Sequence, residues 1–350
     1  MPGARRPLIV ISALVFVGAL VGLVLTLHPS GDAEPRLEVK TYVVPEFMTA
    51  VFKAYGGSNP DRWLARTIVK NTGEEPVRDL RIAYQIAGYT HSTSVGEYPI
   101  LLSGETVRDY CYPVFEGEQM AGIDSETPAE LTVTYECDGM DRPVARSESF
   151  DLLGHNEWVR TDIPDDECLV FQDWLDNDEF LAVFVTHKEP VTQELAKHLT
   201  SGIYTATDEG VMEALSAIYY GLRDASYRYI SEPESYWTDG FAQHVQLPRE
   251  TIAHQGGNCV DLSVLFSALL EAVGVKTYLT LSTGHCQISV ELPEEGTIIP
   301  IEATLVGVPD ATLQDAFDAG YSWYEEQSAQ GTYLHIDIEG AWSQGMVPSL

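Results

Sequence analysis

The chain has 350 residues, 45% of them hydrophobic and 21% charged, a make-up that excludes wholesale disorder and is enough for two modest domains with additional segments. Its formal net charge is −33, from 53 acidic against 20 basic residues of which only six are Lys, so the clustered cations of a nucleic-acid surface are missing. So large a carboxylate excess reads as adaptation to high salt, with an ordinary acidic secreted protein as the alternative.

In chain order, Leu8 to Leu27 (LIVISALVFVGALVGLVLTL) is an uncharged apolar run of 20 residues preceded by Arg5 and Arg6. At the helical rise it covers the roughly 30 Å of a bilayer core, and the preceding cations place the N-terminus inside and the remainder outside. A cleaved signal peptide is the rival, but Thr26 to Pro29 lacks a small-x-small cleavage site. The expectation is a single-pass anchor, with residues 1–36 as anchor and linker and the bulk of the chain extracytoplasmic. Five cysteines then lie outside: Cys111, Cys137, Cys168, Cys259 and Cys286. An odd number leaves at least one thiol outside any disulfide; a Cys111–Cys137 pair is open.

Residues 37–155 alternate with period two, as in Leu80, Ile82, Tyr84 and Ile86 or Leu131, Val133, Tyr135 and Cys137, with turns at Asn71 to Pro76 and Ser103 to Glu105. Short strands without a long helical segment predict an all-β sandwich of immunoglobulin-like kind. Its aromatics Tyr110, Tyr112 and Phe115 read as core before ligand surface. From residue 156 to 350 the pattern becomes mixed. Pro190 to Leu199 opens with Pro at a first helical position, and Val211, Leu215, Ile218 and Leu222 share a helical face.

The chemistry concentrates further on. Gly256, Gly257, Asn258 and Cys259 precede a helix with an apolar face of Leu262, Leu265, Phe266, Leu269, Leu270 and Val273, closed by Gly274. Asn258 is a good N-cap, so Cys259 falls in the first turn, where unpaired N–H groups favour a thiolate and can receive an oxyanion. Asp261, in the same turn, opposes a second negative charge. Val275 to Leu281 is a strand, and HCQISVEL from His285 a second, with His285, Gln287, Ser289 and Glu291 on one face and Cys286 on the other. Ile298 to Leu305 returns as a third strand with Glu302 on the polar face. A hairpin register near the turn brings His285 beside Glu302, which then fixes the imidazole tautomer. Ala311 to Ser328 reads as helix and His335 to Trp342 as a last strand. Gln246, Asn258 and Trp237 are candidate substrate or oxyanion groups, and His254 a further pocket residue. A metal site of His285, Cys286 and His254 is disfavoured because adjacent strand residues face opposite ways. No EF-hand-type calcium loop is present, and no cofactor is implied.

Helix-borne Cys, strand-borne His and strand-borne acid, in that order, with GGNCVDLSVLFSALLEAVGVKTYL, GHCQISV, PIEAT and the upstream LPRETI, resemble the transglutaminase-like superfamily, whose core is related to papain-like peptidases. The resemblance spans Met212 to Thr304, within a core of residues 207–305. It implies an α+β domain in which the helix bearing the Cys packs on an antiparallel sheet, with Cys259 as nucleophile, His285 as general base and acid, and Glu302, where the family more often has Asp, as orienting residue. It implies thiol-dependent hydrolysis or acyl transfer at amide bonds of an extracellular protein or peptide substrate. The contrasting expectation is a catalytically inactive envelope scaffold or binding protein, consistent with a large sandwich that names no function.

Overall fold

The computed structural model describes residues 34–55, 62–90, 94–163, 166–231, 242–282 and 284–349. The expected span at residues 8–27 lies outside them, and among the described residues no helix is long and apolar enough to cross a membrane. The architecture is mixed α+β with several sheets.

The alternating half of the chain forms β1 (Leu37–Val43), β2 (Glu46–Met48), β3 (Ala65–Asn71), β4 (Val77–Ile86), β5 (Ser94–Leu101), β6 (Thr106–Cys111), a short helix α1 (Gly117–Ala121), β7 (Thr127–Glu136) and β8 (Val144–Leu153). A three-stranded sheet runs β1-β3-β6 and a five-stranded one β2-β8-β7-β4-β5, antiparallel throughout except for the β2–β8 pair. Period two does the work: in β4, Leu80, Ile82, Tyr84 and Ile86 are buried while Arg81 and Gln85 point outward. Val39 and Val69 of one sheet and Leu80, Leu131 and Val133 of the other join a single apolar cluster. Cys111 and Cys137 are both buried and form no disulfide, and Phe115 packs on Phe47 with ring centroids 4.8 Å apart. The cluster continues past residue 155 through Trp158, Phe180 and Phe184, so the two halves of the chain are packed together.

The second half contributes β9 (Glu157–Trp158), α2 (Pro190–Leu199), α3 (Asp208–Asp224), β10 (Arg228–Tyr229), β11 (Gln243–His244), α4 (Pro248–His254), β12 (Gly256–Gly257), α5 (Cys259–Glu271), β13 (Thr277–Ser282), β14 (His285–Glu291), β15 (Ile298–Ile301), α6 (Leu313–Gln330), β16 (Leu334–Asp337) and α7 (Ile338–Ser343). Strands β15-β14-β13-β16 make one antiparallel sheet, with Pro300 on the edge strand, where its missing N–H costs no ladder bond. Helix α5 lies between two apolar clusters: Val260, Val264 and Ala268 face the one shared with the N-terminal sheets, and Leu262, Leu265, Leu269 and Leu270 the other. Every residue of α5 is buried. Its polar side chains are therefore bonded inward, Ser263 Oγ donating to the Cys286 carbonyl at 3.2 Å and Ser267 Oγ meeting Thr277 Oγ1.

Two expected strands end early. The return strand stops at Ile301 because Glu302 caps a 3-10 turn over Ala303–Gly307, accepting the Thr304 N–H. The last strand stops at Asp337, whose carboxylate caps α7 by accepting the Gly340 N–H at 3.0 Å.

Candidate active site

The start of α5 is built by a reciprocal pair. Asn258 Oδ1 accepts the Asp261 N–H at 2.9 Å, and Asp261 Oδ2 accepts the Asn258 N–H at 3.0 Å. The carboxylate folds back so far that a Cβ on Gly257 would lie 2.4 Å from Asp261 Cβ and 2.7 Å from its Oδ2. The second glycine of the Gly-Gly-Asn-Cys sequence is thus a space requirement. Asp261 also accepts the Gln246 N–H at 2.8 Å and its side-chain amide at 2.9 Å, tying the preceding segment to the helix. Burial pushes the Asp261 carboxyl up, against those bonds, which favour its charged form. The residue read as an opponent of the thiolate is a brace for the turn that carries it.

Cys259, the first residue of α5, is 7% exposed. His285, at the start of β14, lies near enough for the Cys259 side chain to act on its charge state. The imidazole Nε2 lies 2.7 Å from Glu302 Oε2. Glu302 is fixed in turn, its Oε1 accepting the Thr304 N–H at 3.0 Å and the Thr304 hydroxyl at 2.6 Å, and its own N–H donating to the Ala316 carbonyl at 3.0 Å. The structure therefore brings Cys259, His285 and Glu302 into one chain of contacts. The His285 side chain is 24% exposed and that of Glu302 13%, so the site reaches the surface through the imidazole.

The register differs from a simple side-by-side pair. β14 and β15 match Ile288 with Ile301 and Val290 with Ile299, so continuing the ladder sets Glu302 opposite Gln287, two residues beyond His285. The two share a face, but diagonal neighbours have Cβ atoms roughly 7–8 Å apart, a gap that a long side chain spans. Glutamate supplies that length.

Electrostatics follow from this geometry. Desolvation works against the charged imidazole, but the bonds to Cys259 and Glu302 and the Glu302 charge outweigh it and raise His285 to about 10. Burial likewise works against the Glu302 carboxylate, yet the His285 bond and charge, with the Thr304 bonds, hold it below the ordinary value. Both shifts favour the charged forms, an imidazolium beside a carboxylate.

The other sequence candidates separate. Gln246 donates its amide to Asp261 at 2.9 Å and to the Gly256 carbonyl at 3.4 Å, while its Oε1 accepts from His254 Nδ1 at 2.8 Å. Both amide hydrogens are engaged, so it braces the turn instead of offering an oxyanion donor. Asn258 differs: its oxygen caps the helix, but Nδ2 is buried with no hydrogen-bond partner among the described residues, in a side chain next to the nucleophile and 5% exposed overall. Trp237 lies outside the described residues. His285, Cys286 and His254 do not converge, since Cys286 is fully buried and His254 is exposed on Gln246; among the described residues no cluster of His, Cys, Asp or Glu is placed to hold a metal ion.

Sequence reasoning missed two contributors. Thr304 was signalled only by Glu-x-Thr at a strand end, a local capping pattern. Trp323, on α6, has its ring centroid 5.1 Å from that of His285 at an interplanar angle of 77°; nothing in its own neighbourhood of sequence pointed to the imidazole.

No protein-family model matches the chain, and no curated protein does. Among solved structures it is similar to a candidate cysteine protease from Cytophaga hutchinsonii, at 14% identity over 67% of this chain and 73% of that one, with a TM-score of 0.25. It is also similar to a candidate protease from Parabacteroides distasonis, at 10% identity over 68% of this chain and 45% of that one, again with a TM-score of 0.25. Likenesses this remote carry no argument about the site, which stands on its own geometry.

Proposed function

We propose that the chain is a thiol-dependent amide hydrolase or acyltransferase of transglutaminase-like kind, acting on a protein or peptide carbonyl. The observation that supports it is the continuous contact chain from Cys259 through His285 to Glu302, whose acid is itself held by Thr304. Cys259 sulfur attacks the amide carbon, forming a C–S bond, and the carbonyl becomes an oxyanion. Helix geometry leaves the first-turn N–H of Cys259 without an intrahelical acceptor, and Asn258 Nδ2 lacks a partner, so these two donors receive the oxyanion. When the C–N bond breaks, His285 gives its proton to the departing amine. The neutral imidazole then takes a proton from water, or from a second amine, as that nucleophile attacks the thioester and expels the thiolate. Water yields a carboxylic acid; an amine yields a new amide.

The test is mass spectrometry of glutamine-containing peptides incubated with the protein, with and without a primary amine. Cys259→Ala is expected to remove every product, and product formation by that variant overturns the mechanism. In this reading the apolar run at residues 8–27 anchors the enzyme with its site outside the membrane, which protease accessibility of the domain on intact cells checks.

A further inference from the structure

Helix α6 follows the acid in sequence and lies across the strands that carry the site. Gly320 fits directly onto the acid strand: a Cβ there would be 2.8 Å from the Ile301 nitrogen and 3.0 Å from that of Glu302. Among the described residues, three bonds tie the helix to the strands that carry the site, Glu302 N–H to the Ala316 carbonyl at 3.0 Å, Gln287 Nε2 to the Gly320 carbonyl at 3.2 Å, and Ser282 Oγ to Gln327 Oε1 at 2.6 Å. Ala316, Gly320 and Trp323 follow one helical face, four and three residues apart. The first two are small enough to seat the backbone; the third is the largest side chain on the helix and stands edge-to-face with His285. Among the described residues Trp323 packs against neither apolar cluster, although Phe317 on the same helix does. Core packing therefore does not account for its position.

We propose that Trp323 is a positioning residue of the site: seated by Gly320, it fixes the plane of the His285 imidazole so that Nε2 stays on Glu302 and the opposite edge of the ring stays toward Cys259. The proposal rests on the triad reading above. Among the described residues, the charged and titratable groups that act on the ring include Glu302, from the end of β15, and Cys259, from α5. Losing the indole frees the ring to rotate off both partners, so that it no longer stands ready to take the thiol proton as Cys259 reacts.

The test is the pH dependence of iodoacetamide alkylation at Cys259, followed by mass spectrometry of its peptide so that the other cysteines do not contribute. Trp323→Leu is expected to slow alkylation at pH 6 by about tenfold, with the difference closing in alkaline solution, where hydroxide replaces the imidazole as base. Trp323→Phe, which keeps an aromatic edge, should stay within about threefold of wild type. Gly320→Ala, which lifts the helix while leaving the indole, should shift the profile in the same direction as Trp323→Leu. A wild type reactive at pH 6 whose profile Trp323→Leu leaves unchanged overturns the proposal alone. Equal slowing by Phe and Leu together with a lowered melting temperature also overturns it, in favour of a purely structural side chain. A wild-type Cys259 unreactive at neutral pH overturns the triad reading itself.

Discussion

The diagonal register between His285 and Glu302 makes Glu302→Asp a sharp perturbation, because the change keeps charge and chemistry and alters only length. The present contact is 2.7 Å across a ladder that sets Glu302 opposite Gln287. Removing one methylene withdraws the carboxylate by about 1.5 Å, opening the gap to about 4 Å, beyond hydrogen-bonding range. Aspartate is an excellent cap, so the shortened side chain keeps the Thr304 N–H and the 3-10 turn. The expected loss is that of one charge-assisted hydrogen bond, about 1.5–3 kcal/mol, or roughly 10- to 100-fold in amide cleavage. The assay pairs product formation with the rate of Cys259 alkylation at pH 6 and a melting temperature to show that the fold survives. A Glu302→Asp protein as reactive as wild type, or more so, would refute the register argument, since it would mean the shorter acid reaches the imidazole.

Three further outcomes are expected. His285, raised to about 10, contributes stability that is present below its unfolded value and lost as pH rises through 10, while Glu302, held low, contributes stability present above the ordinary carboxylate value and lost on acidification below it. The melting-temperature difference between wild type and Glu302→Gln should therefore be largest between about pH 5 and 6.5, decline progressively as pH rises toward 10 and shrink on acidification; a difference that grows steadily with pH contradicts the ion pair. Asn258→Ser keeps a capping oxygen but removes Nδ2, so turnover should fall about 10²- to 10³-fold with alkylation of Cys259 nearly unchanged, whereas equal losses in both would assign Asn258 to the cap alone. Gly257→Ala forces a Cβ against Asp261 and should cost about 1–3 kcal/mol in urea unfolding; a neutral substitution means the brace is looser than the 2.4 Å approach implies.

Much of this arrangement was legible because local rules and tertiary structure agree. The cap at Asn258, the Pro at the start of α2 and the alternation in β4 each depend on near neighbours in sequence, and each appears where the pattern put it. The apolar stripe of α5 was legible too, but not that its remaining faces are also buried, because Ser263 and Ser267 look like solvent-facing residues until their strand partners are known. The site residues divide in the same way. Cys259 and His285 announce themselves by position on their elements, whereas Gln246 looked like a donor for substrate and is engaged by Asp261, fifteen residues on. Strand ends were misjudged where a side chain capped the following turn: alternation continues in the sequence through Ala303 and Leu305, but Glu302 ends the ladder.

That early strand end is what links fold to chemistry. A carboxylate on a continuing ladder would have been held only by its neighbours on the sheet face. By leaving the ladder at Glu302, the chain gives its N–H to Ala316 of α6, one carboxylate oxygen to Thr304 and the other to His285. Each of these directions removes a freedom the side chain otherwise has, and the glutamate, longer and more mobile than an aspartate, is the residue that most needs such restraint. The same bond anchors the helix that carries Trp323. Restraint of the acid and restraint of the imidazole thus depend on one seating of α6 against residues 301–302, which is why a single methyl at Gly320 is expected to disturb a thiol on a different helix.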